Sequence, residues 1–217
     1  MAHRFFAIVP AAGHSSRMGC PKLLLPLNDR PLILHTLAGW LHSAIDSATV
    51  VVRPGDEPLR TVLQVASAAT PTRLHIVVPQ HDPSDMKASL QIALVHIEQV
   101  YQPQPDDAFL VAPADMPQLS SPIINRLVDY HRSQRAVQIL VPTLNSRRGH
   151  PVLFPWRFAA EVHQLAASDG LNAIVDRNQV TYLPCDDLLT SPTAPFLDVD
   201  TPEEYERIIA SSDVDFR

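Results

Sequence analysis

Lysine is the scarcest charge in this chain: only Lys22 and Lys87 occur, and every other basic residue among the 17 is arginine. A lysine here is harder to dismiss as generic surface charge, so the position of each asks for a reason. Glycine is nearly as sparse, with six in 217 residues, and glycine is most useful where the backbone needs a positive φ or close approach. Two cysteines, Cys20 and Cys185, exclude a disulfide framework, and neither stands in a C-x-x-C or Cys/His ligand spacing. No apolar run approaches the roughly 20 residues of a membrane span, and the N-terminal segment lacks the apolar stretch of a secretion signal. These absences predict a cytoplasmic protein with no membrane partner. A net charge of −6 argues against nucleic acid as a partner, because non-specific binding needs a basic face to displace counterions.

The apolar content of 46% is enough to bury a sizeable core, and one domain over residues 1–217 is expected. The 21 prolines are dispersed through loops such as Gln102-Pro103-Gln104-Pro105 rather than gathered into a linker, and no internal repeat is visible. Apolar runs rich in β-branched residues recur at Phe5–Val9, Thr49–Val52, Leu74–Val78, Ala108–Ala112 and Gln138–Val141. Segments of helical spacing separate them at Leu32–Ser43, Pro58–Ala69, Asp85–Val100 and Ser121–Ser133. That alternation signals βαβ units with the first four strands mostly parallel. Shorter runs at Pro151–Phe154, Val180–Leu183 and Phe196–Val199 predict that the sheet becomes mixed toward the C-terminus. Ligands of such sheets sit beyond the C-terminal ends of the strands.

The first strand runs directly into Pro10-Ala-Ala-Gly-His-Ser-Ser-Arg-Met-Gly-Cys-Pro-Lys22. A loop leaving a buried strand can aim free backbone N–H groups at an anion, and Arg17 and Lys22 add positive charge. It is not a Walker A loop, since Leu23 follows Lys22, and it is not G-x-G-x-x-G, since Ser15 and Met18 occupy the later glycine positions. A plain glycine-containing βα turn with incidental charge is the competing reading.

Three further segments carry candidate chemistry. Phe109-Leu-Val-Ala-Pro-Ala-Asp-Met-Pro117 ends a strand in Asp115, a carboxylate able to hold Mg²⁺ against nucleotide phosphates or simply to cap a turn. Phe196-Leu-Asp-Val-Asp-Thr-Pro-Glu-Glu-Tyr205 puts Asp198 and Asp200 at period-2 spacing on one face, where paired charges cost energy unless a cation or hydrogen bonds offset them. Thr201 and Glu204 there also read as a capping box. Arg147-Arg148-Gly149-His150-Pro151 reads as a dock for an anionic acceptor or as an ordinary hairpin turn.

Taken in order, Ala11-Ala-Gly-x-x-x-Arg-Met-Gly-x-x-Lys22, Asp115-Met-Pro117, Gly149-His-Pro151 and Asp198-Val-Asp-Thr-Pro-Glu-Glu204 resemble the MobA-like nucleotidyltransferases, especially the molybdenum-cofactor cytidylyltransferase branch. The resemblance spans nearly the whole chain. It implies a Rossmann-like nucleotide-diphospho-sugar transferase fold, a mostly parallel mixed sheet flanked by helices, and transfer of a nucleoside monophosphate from an NTP to a phosphorylated acceptor. Mg²⁺ is the implied cofactor, CTP the implied nucleotide, molybdopterin the implied acceptor, and a molybdenum hydroxylase apoenzyme a candidate partner. Carried onto this sequence, the nucleotide site comprises Ala11, Ala12, Gly13, Ser16, Arg17, Gly19, Lys22 and Ser89. Arg17, Lys22 and Asp115 are the implied catalytic residues, Asp115 and Asp200 the metal ligands with Asp198 as a third carboxylate, and Arg148, Gly149 and His150 the acceptor contacts. The choice of CTP over GTP follows from Ala12, where the guanylyltransferase branch usually has glycine and a side chain crowds a purine.

Two departures bear on the acceptor. The family's Gly-Met-x-x-Ser-Leu stands here as Asp85-Met86-Lys87-Ala88-Ser89-Leu90, and its later Gly-x-x-Gly-Ala-Arg appears as Ala167-Ser168-Asp169-Gly170-Leu171-Asn172, without the arginine. Arg147 and Arg148 are the candidate replacements. Transfer to a sugar phosphate or another small phosphate, with GTP or another NTP, and non-catalytic cofactor binding as a maturation chaperone remain alternatives.

Overall fold

The first strand shows why this sequence makes a sheet covered on both faces. Phe5, Ala7 and Val9 of β1 (Phe5–Pro10) enter one core cluster, and the intervening Phe6 and Ile8 enter the other. Period-2 alternation sends successive side chains to opposite faces, so an unbroken apolar run is what a doubly covered strand requires. The structure is a computed structural model and describes residues 3–134, 138–188 and 198–212.

Around β1 the chain builds β2 (Pro26–Leu27) and β3 (Arg30–Pro31), a separate small hairpin, then α1 (Leu32–Leu41), β4 (Ser47–Val51), α2 (Glu57–Ala69) and β5 (Leu74–Val77). It continues through α3 (Met86–Tyr101), β6 (Ala108–Val111), α4 (Ser121–Ser133), β7 (Ile139–Leu144), β8 (Arg147–Arg148) and β9 (Val152–Pro155). The described elements end with α5 (Ala159–Gln164), α6 (Asn172–Arg177), β10 (Val180–Pro184) and α7 (Pro202–Ser212).

The main sheet runs β10-β7-β9-β6-β1-β4-β5, with β8 paired to β7. Strands β5, β4, β1 and β6 are mutually parallel, whereas β9 is antiparallel to both β6 and β7. The expected change from parallel to mixed sheet is therefore present. Helices α1, α2, α4 and α7 supply one core cluster, including Trp40, Leu63, Leu127 and Ile208. Helices α3, α5 and α6 supply the other, including Leu94, Ile97, Val162 and Ile174. Each large buried side chain of this kind contributes about 1.5–3 kcal/mol.

Winding outward from β1 through β4 to β5 and then back to β6 leaves a crevice between β1 and β6, on their C-terminal side. This is the topological switch point where open α/β sheets take ligands. It brings the loop after β1 against the loop after β6.

Two local devices shape that crevice. The Asp56 carboxylate accepts from the Leu59 N–H and opens α2, and the Asp85 carboxylate accepts from the Ala88 N–H at 2.7 Å and opens α3. A Cβ added at Gly39 of α1 would lie 2.2 Å from the carbonyl oxygen of Leu119, so glycine lets α1 pack directly on the segment after Asp115. Of the expected strand Phe196–Val199, Phe196 and Leu197 lie outside the described residues, and residues 198–200 join no ladder. The Val199 N–H instead donates to the Asp115 carbonyl at 3.0 Å.

Candidate active site

The loop after β1 keeps its polar backbone toward the crevice. The Ala11 N–H donates to Val51 at 2.9 Å, which ends strand pairing, and Ala11 and Ala12 are buried. Beyond them, the N–H groups of Ala12, Gly13 and His14 have no acceptor among the described residues. Ser15 then turns the chain with φ +52°, its carbonyl accepting from Met18 and Gly19. Gly19 has φ +66°, the left-handed conformation that glycine adopts without steric penalty. Arg53, at the exit of β4, donates to the Gly13 carbonyl at 2.7 Å and pairs with Asp56 at 2.7 Å. Those contacts tether the loop from outside while leaving its N–H groups free.

A 3-10 turn at Lys22–Leu24 buries Leu23 and sends the Lys22 side chain between two carboxylates. Its ammonium donates to Asp115 and, at 2.9 Å, to Oδ1 of Asp200. Arg17 pairs with the other Asp200 oxygen at 2.8 Å. Asp115 is held from behind, because the Thr36 hydroxyl donates to the neighbouring Ala114 carbonyl at 2.9 Å. Asp200 is held by the expected capping box: the Glu204 carboxylate accepts from the N–H groups of Asp200 and Thr201, and the Glu204 N–H donates to the Thr201 hydroxyl.

The electrostatics follow from burial and pairing. Burial pulls the Lys22 pKa down, but hydrogen bonding and attraction to Asp115 and Asp200 outweigh it, so the net shift is upward and the amine stays charged. Burial pushes Asp115 up against the opposing pull of Lys22. Burial also acts upward on Asp200, yet Lys22 and Arg17 bring its carboxyl below the ordinary value. The Oδ1 of Asp115 is buried and has no hydrogen-bond partner among the described residues. A buried acceptor without a partner is costly in a finished structure, so this oxygen calls for an explanation.

A cavity of about 330 Å³ opens over this cluster, lined by Ala11, Ala12, Gly13, Arg17, Lys22, Asp115 and Asp200, with Asp85, Met86 and Ser89 of the α3 entry among the residues around it. Ser89 is buried, its hydroxyl donating to the Asp85 carbonyl at 3.4 Å. Asp198 also lines the cavity but is exposed and forms no ion pair among the described residues. Ser16 and Gly19 lie outside the cavity lining, Ser16 exposed and Gly19 serving the turn. Of the two candidates for the second carboxylate, Asp200 is the one the fold brings onto Lys22. Among the described residues no group of three or more His, Cys, Asp or Glu side chains could hold a metal ion.

A second cavity of about 270 Å³ adjoins the first, and Met86 and Pro113 line both. Its walls include Leu90, Val111, Val152, Phe154, Leu171 and Val175, with His150, Lys87 and Asn172 as its polar members. Burial lowers the His150 pKa and keeps the ring neutral, and its Nδ1 lies 3.4 Å from the Val111 carbonyl. The His150-Pro151 bond is cis. In the rest of the expected acceptor segment, Arg148 stacks on Tyr182 at 5.0 Å and faces Asp176 at 3.8 Å, and the Gly149 N–H donates to the Pro142 carbonyl of β7. Arg147 and Arg148 are both exposed, and neither lines this cavity.

Residues 7–181 match the MobA-like NTP transferase domain. The chain belongs to that family. Among curated proteins it is similar to ribitol-5-phosphate cytidylyltransferase from Lactiplantibacillus plantarum, 28% identical over 144 residues, which are 65% of this chain and 60% of that protein. The match thus spans under two thirds of that relative. It is also similar to 2-C-methyl-D-erythritol 4-phosphate cytidylyltransferase from Nitrosospira multiformis, 25% identical over 209 residues covering 82% of this chain and 84% of that one. Among solved structures, Rv0371c from Mycobacterium tuberculosis H37Rv superposes with a TM-score of 0.75 at 25% identity, covering 97% of this chain and 100% of that chain. A manganese complex of Rv0371c gives a TM-score of 0.71 at 24% identity, covering 96% and 99% of the two chains.

Proposed function

We propose that this protein transfers CMP from CTP to the phosphate of a molybdopterin-type acceptor, releasing pyrophosphate. The observation that carries the reading is the adjacency of two unlike cavities. One is ringed by free N–H groups, Arg17, Lys22 and two carboxylates, and the other is mostly apolar. The first suits a nucleoside triphosphate, since free N–H groups and clustered cations both favour phosphate. The second suits the faces of a flat heterocycle, which apolar walls can cover.

An acceptor phosphate is already a nucleophile at neutral pH, so the chain supplies position and charge rather than a general base. The acceptor oxygen forms a bond to the α-phosphorus of CTP, and the bond to the β-phosphate bridging oxygen breaks with its electrons leaving on pyrophosphate. The Ala12–His14 N–H groups and Arg17 orient the triphosphate, and Lys22 offsets charge that builds on the α-phosphate. Asp115 and Asp200 would hold Mg²⁺, whose supply of positive charge to the α-phosphate and pyrophosphate is its contribution when bound. The fit rests on the unpartnered Asp115 Oδ1 and on Asp200 sharing the same ammonium, because Mg²⁺ takes few protein carboxylates plus substrate oxygens. The relatives named as cytidylyltransferases support CTP, as does the buried Ala12.

A polyol phosphate is the second reading, favoured by the names of the two curated relatives. Polyol hydroxyls need polar partners, and the second cavity offers few. The deciding experiment is pyrophosphate release with Mg²⁺ and each of CTP, GTP, ATP and UTP, presented with molybdopterin, molybdenum cofactor, ribitol 5-phosphate or 2-C-methyl-D-erythritol 4-phosphate. CTP-selective release with the pterin acceptors supports the proposal. Release with a polyol phosphate alone replaces it by the second reading.

A further inference from the structure

Lys87 is the other lysine of the chain, and the nucleotide site does not use it. It is the second residue of α3, at the positive end of the helix dipole, where a cation is unfavourable. It lines the apolar cavity rather than the nucleotide cavity. Its ammonium donates to the carbonyls of Ala166 and Ala167, at 2.5 and 3.0 Å. Both partners are neutral. No carboxylate pairs with it among the described residues: Asp85 caps the helix through Ala88, and Asp169 pairs with Arg177 at 2.8 Å.

A structural clip for the loop at 166–167 would need donors, not a full charge. The ammonium lines the apolar cavity with two neutral carbonyls as its partners among the described residues, a role that a neutral donor would fill as well. Two of its three N–H donors are engaged, which leaves one for a ligand. His150 is kept neutral by burial and Asn172 is uncharged, so nothing else in that wall neutralises the ammonium.

We propose that Lys87 binds a negatively charged group of the acceptor, making it the acceptor-side cation as Lys22 is the nucleotide-side one. The inference rests on reading the apolar cavity as the acceptor's. Its chemistry is that of a phosphate or another compact anion meeting an ammonium at the rim of an apolar pocket.

The substitution Lys87→Gln keeps donors for the two carbonyls and removes the charge, whereas Lys87→Arg keeps the charge. With an acceptor that supports turnover, Lys87→Gln raises the acceptor KM about ten- to a hundredfold, the loss expected for one charge-assisted hydrogen bond, while the KM for CTP stays within about twofold. Lys87→Arg recovers most of that loss. A Gln variant with unchanged acceptor KM overturns the proposal and leaves Lys87 as a loop clip.

A second measurement does not depend on turnover. Protein labelled at the lysine ε-carbons gives two side-chain NMR signals, assigned with Lys87→Arg. With the nucleotide site filled by CTP, titration with inorganic phosphate shifts the Lys87 signal saturably, and chloride at equal ionic strength does not. A Lys87 signal unmoved by phosphate, while CTP moves Lys22, overturns the proposal. Pyrophosphate release absent with every acceptor, together with a phosphate-responsive Lys87, removes the transfer reading and leaves the anion site standing.

Discussion

The Lys22 ammonium donates to Oδ1 of Asp200 at 2.9 Å across 178 positions of sequence. The contact ties the loop after the first strand to the cap of the last helix, and Asp115 joins it from the loop after β6. Three distant segments thus meet on one ammonium. Pairing of this kind offsets the desolvation of its members only while the set is complete.

Removing the cation tests that balance. Lys22→Met leaves Asp115 buried beside Asp200 without a partner, so a stability loss of about 3 kcal/mol is expected, or a Tm lower by about 10 °C. Turnover should fall by about 10²–10³, the usual effect of deleting one donor to developing charge. Millimolar Mg²⁺ should recover part of the lost Tm by replacing the missing positive charge, without restoring turnover. Thermal unfolding with and without MgCl₂ checks this, and a variant as stable and active as the parent would remove Lys22 from the proposed site.

The two C-terminal carboxylates should separate cleanly. Asp200→Asn is expected to lower activity by about 10² and to weaken Mn²⁺ binding in calorimetry, because Lys22 and Arg17 both converge on that side chain. Asp198→Asn, at an exposed position without an ion pair among the described residues, should stay within about threefold on surface-charge grounds. Equal losses in the two variants would mean that the Asp200 geometry does not define the site.

Much of this arrangement was legible in the sequence, for a physical reason. The buried parallel strands are continuous apolar runs separated by helical spacing, so β1, β4, β5 and β6 match their expected positions to within two residues. Helix α4 matches at both ends. The six-residue helices α5 and α6 and the Asn28-Asp29 turn of the small hairpin were not foreseen, because such short elements carry too little periodicity to register. In the site, Lys22 and Asp115 were readable as loop residues at strand exits. Asp198 and Asp200 were not separable, since period-2 spacing gives both the same face and only the capping box at Thr201 orients the segment. Arg53 had one available signal, its place directly after a buried strand on the same sheet edge. The basic pair before a glycine reads as an anion dock in sequence, and the β7–β8 hairpin sets Arg148 over Tyr182, a placement that short-range pattern does not carry.

Gly39 carries a consequence that composition alone hides. Alanine ordinarily stabilises a helix interior by about 1 kcal/mol over glycine, but here the added Cβ would fall 2.2 Å from the Leu119 carbonyl oxygen. Backbone cannot rotate away as a side chain can, so Gly39→Ala should destabilise by about 2 kcal/mol. The same displacement reaches Asp115 through the turn in which Leu119 N–H donates to Met116, so activity should fall as well. An unchanged or raised Tm in Gly39→Ala would show that α1 does not press on this segment.

Acid should weaken the fold through its buried histidines. Burial lowers the pKa of His131, whose Nε2 lies 2.9 Å from the Asp106 carbonyl and whose Nδ1 has no partner among the described residues, and burial likewise lowers His96 and His150. In the unfolded chain these histidines titrate near 6.5. Below that pH the unfolded state binds more protons than the folded state, so stability falls as pH drops through about 6.5 toward the lower folded values. Each histidine contributes a slope of at most about 1.4 kcal/mol per pH unit. The Asp107 carboxyl is brought below its ordinary value of 3.8 because hydrogen bonds from Arg4 outweigh its burial, and its contribution is lost only in more acidic solution. Urea unfolding at intervals from pH 8 to pH 5 should therefore show a plateau above neutrality and a decline beneath it, shallower in His131→Leu. A flat profile over that interval would mean the buried histidines protonate as easily in the folded chain as in the unfolded one.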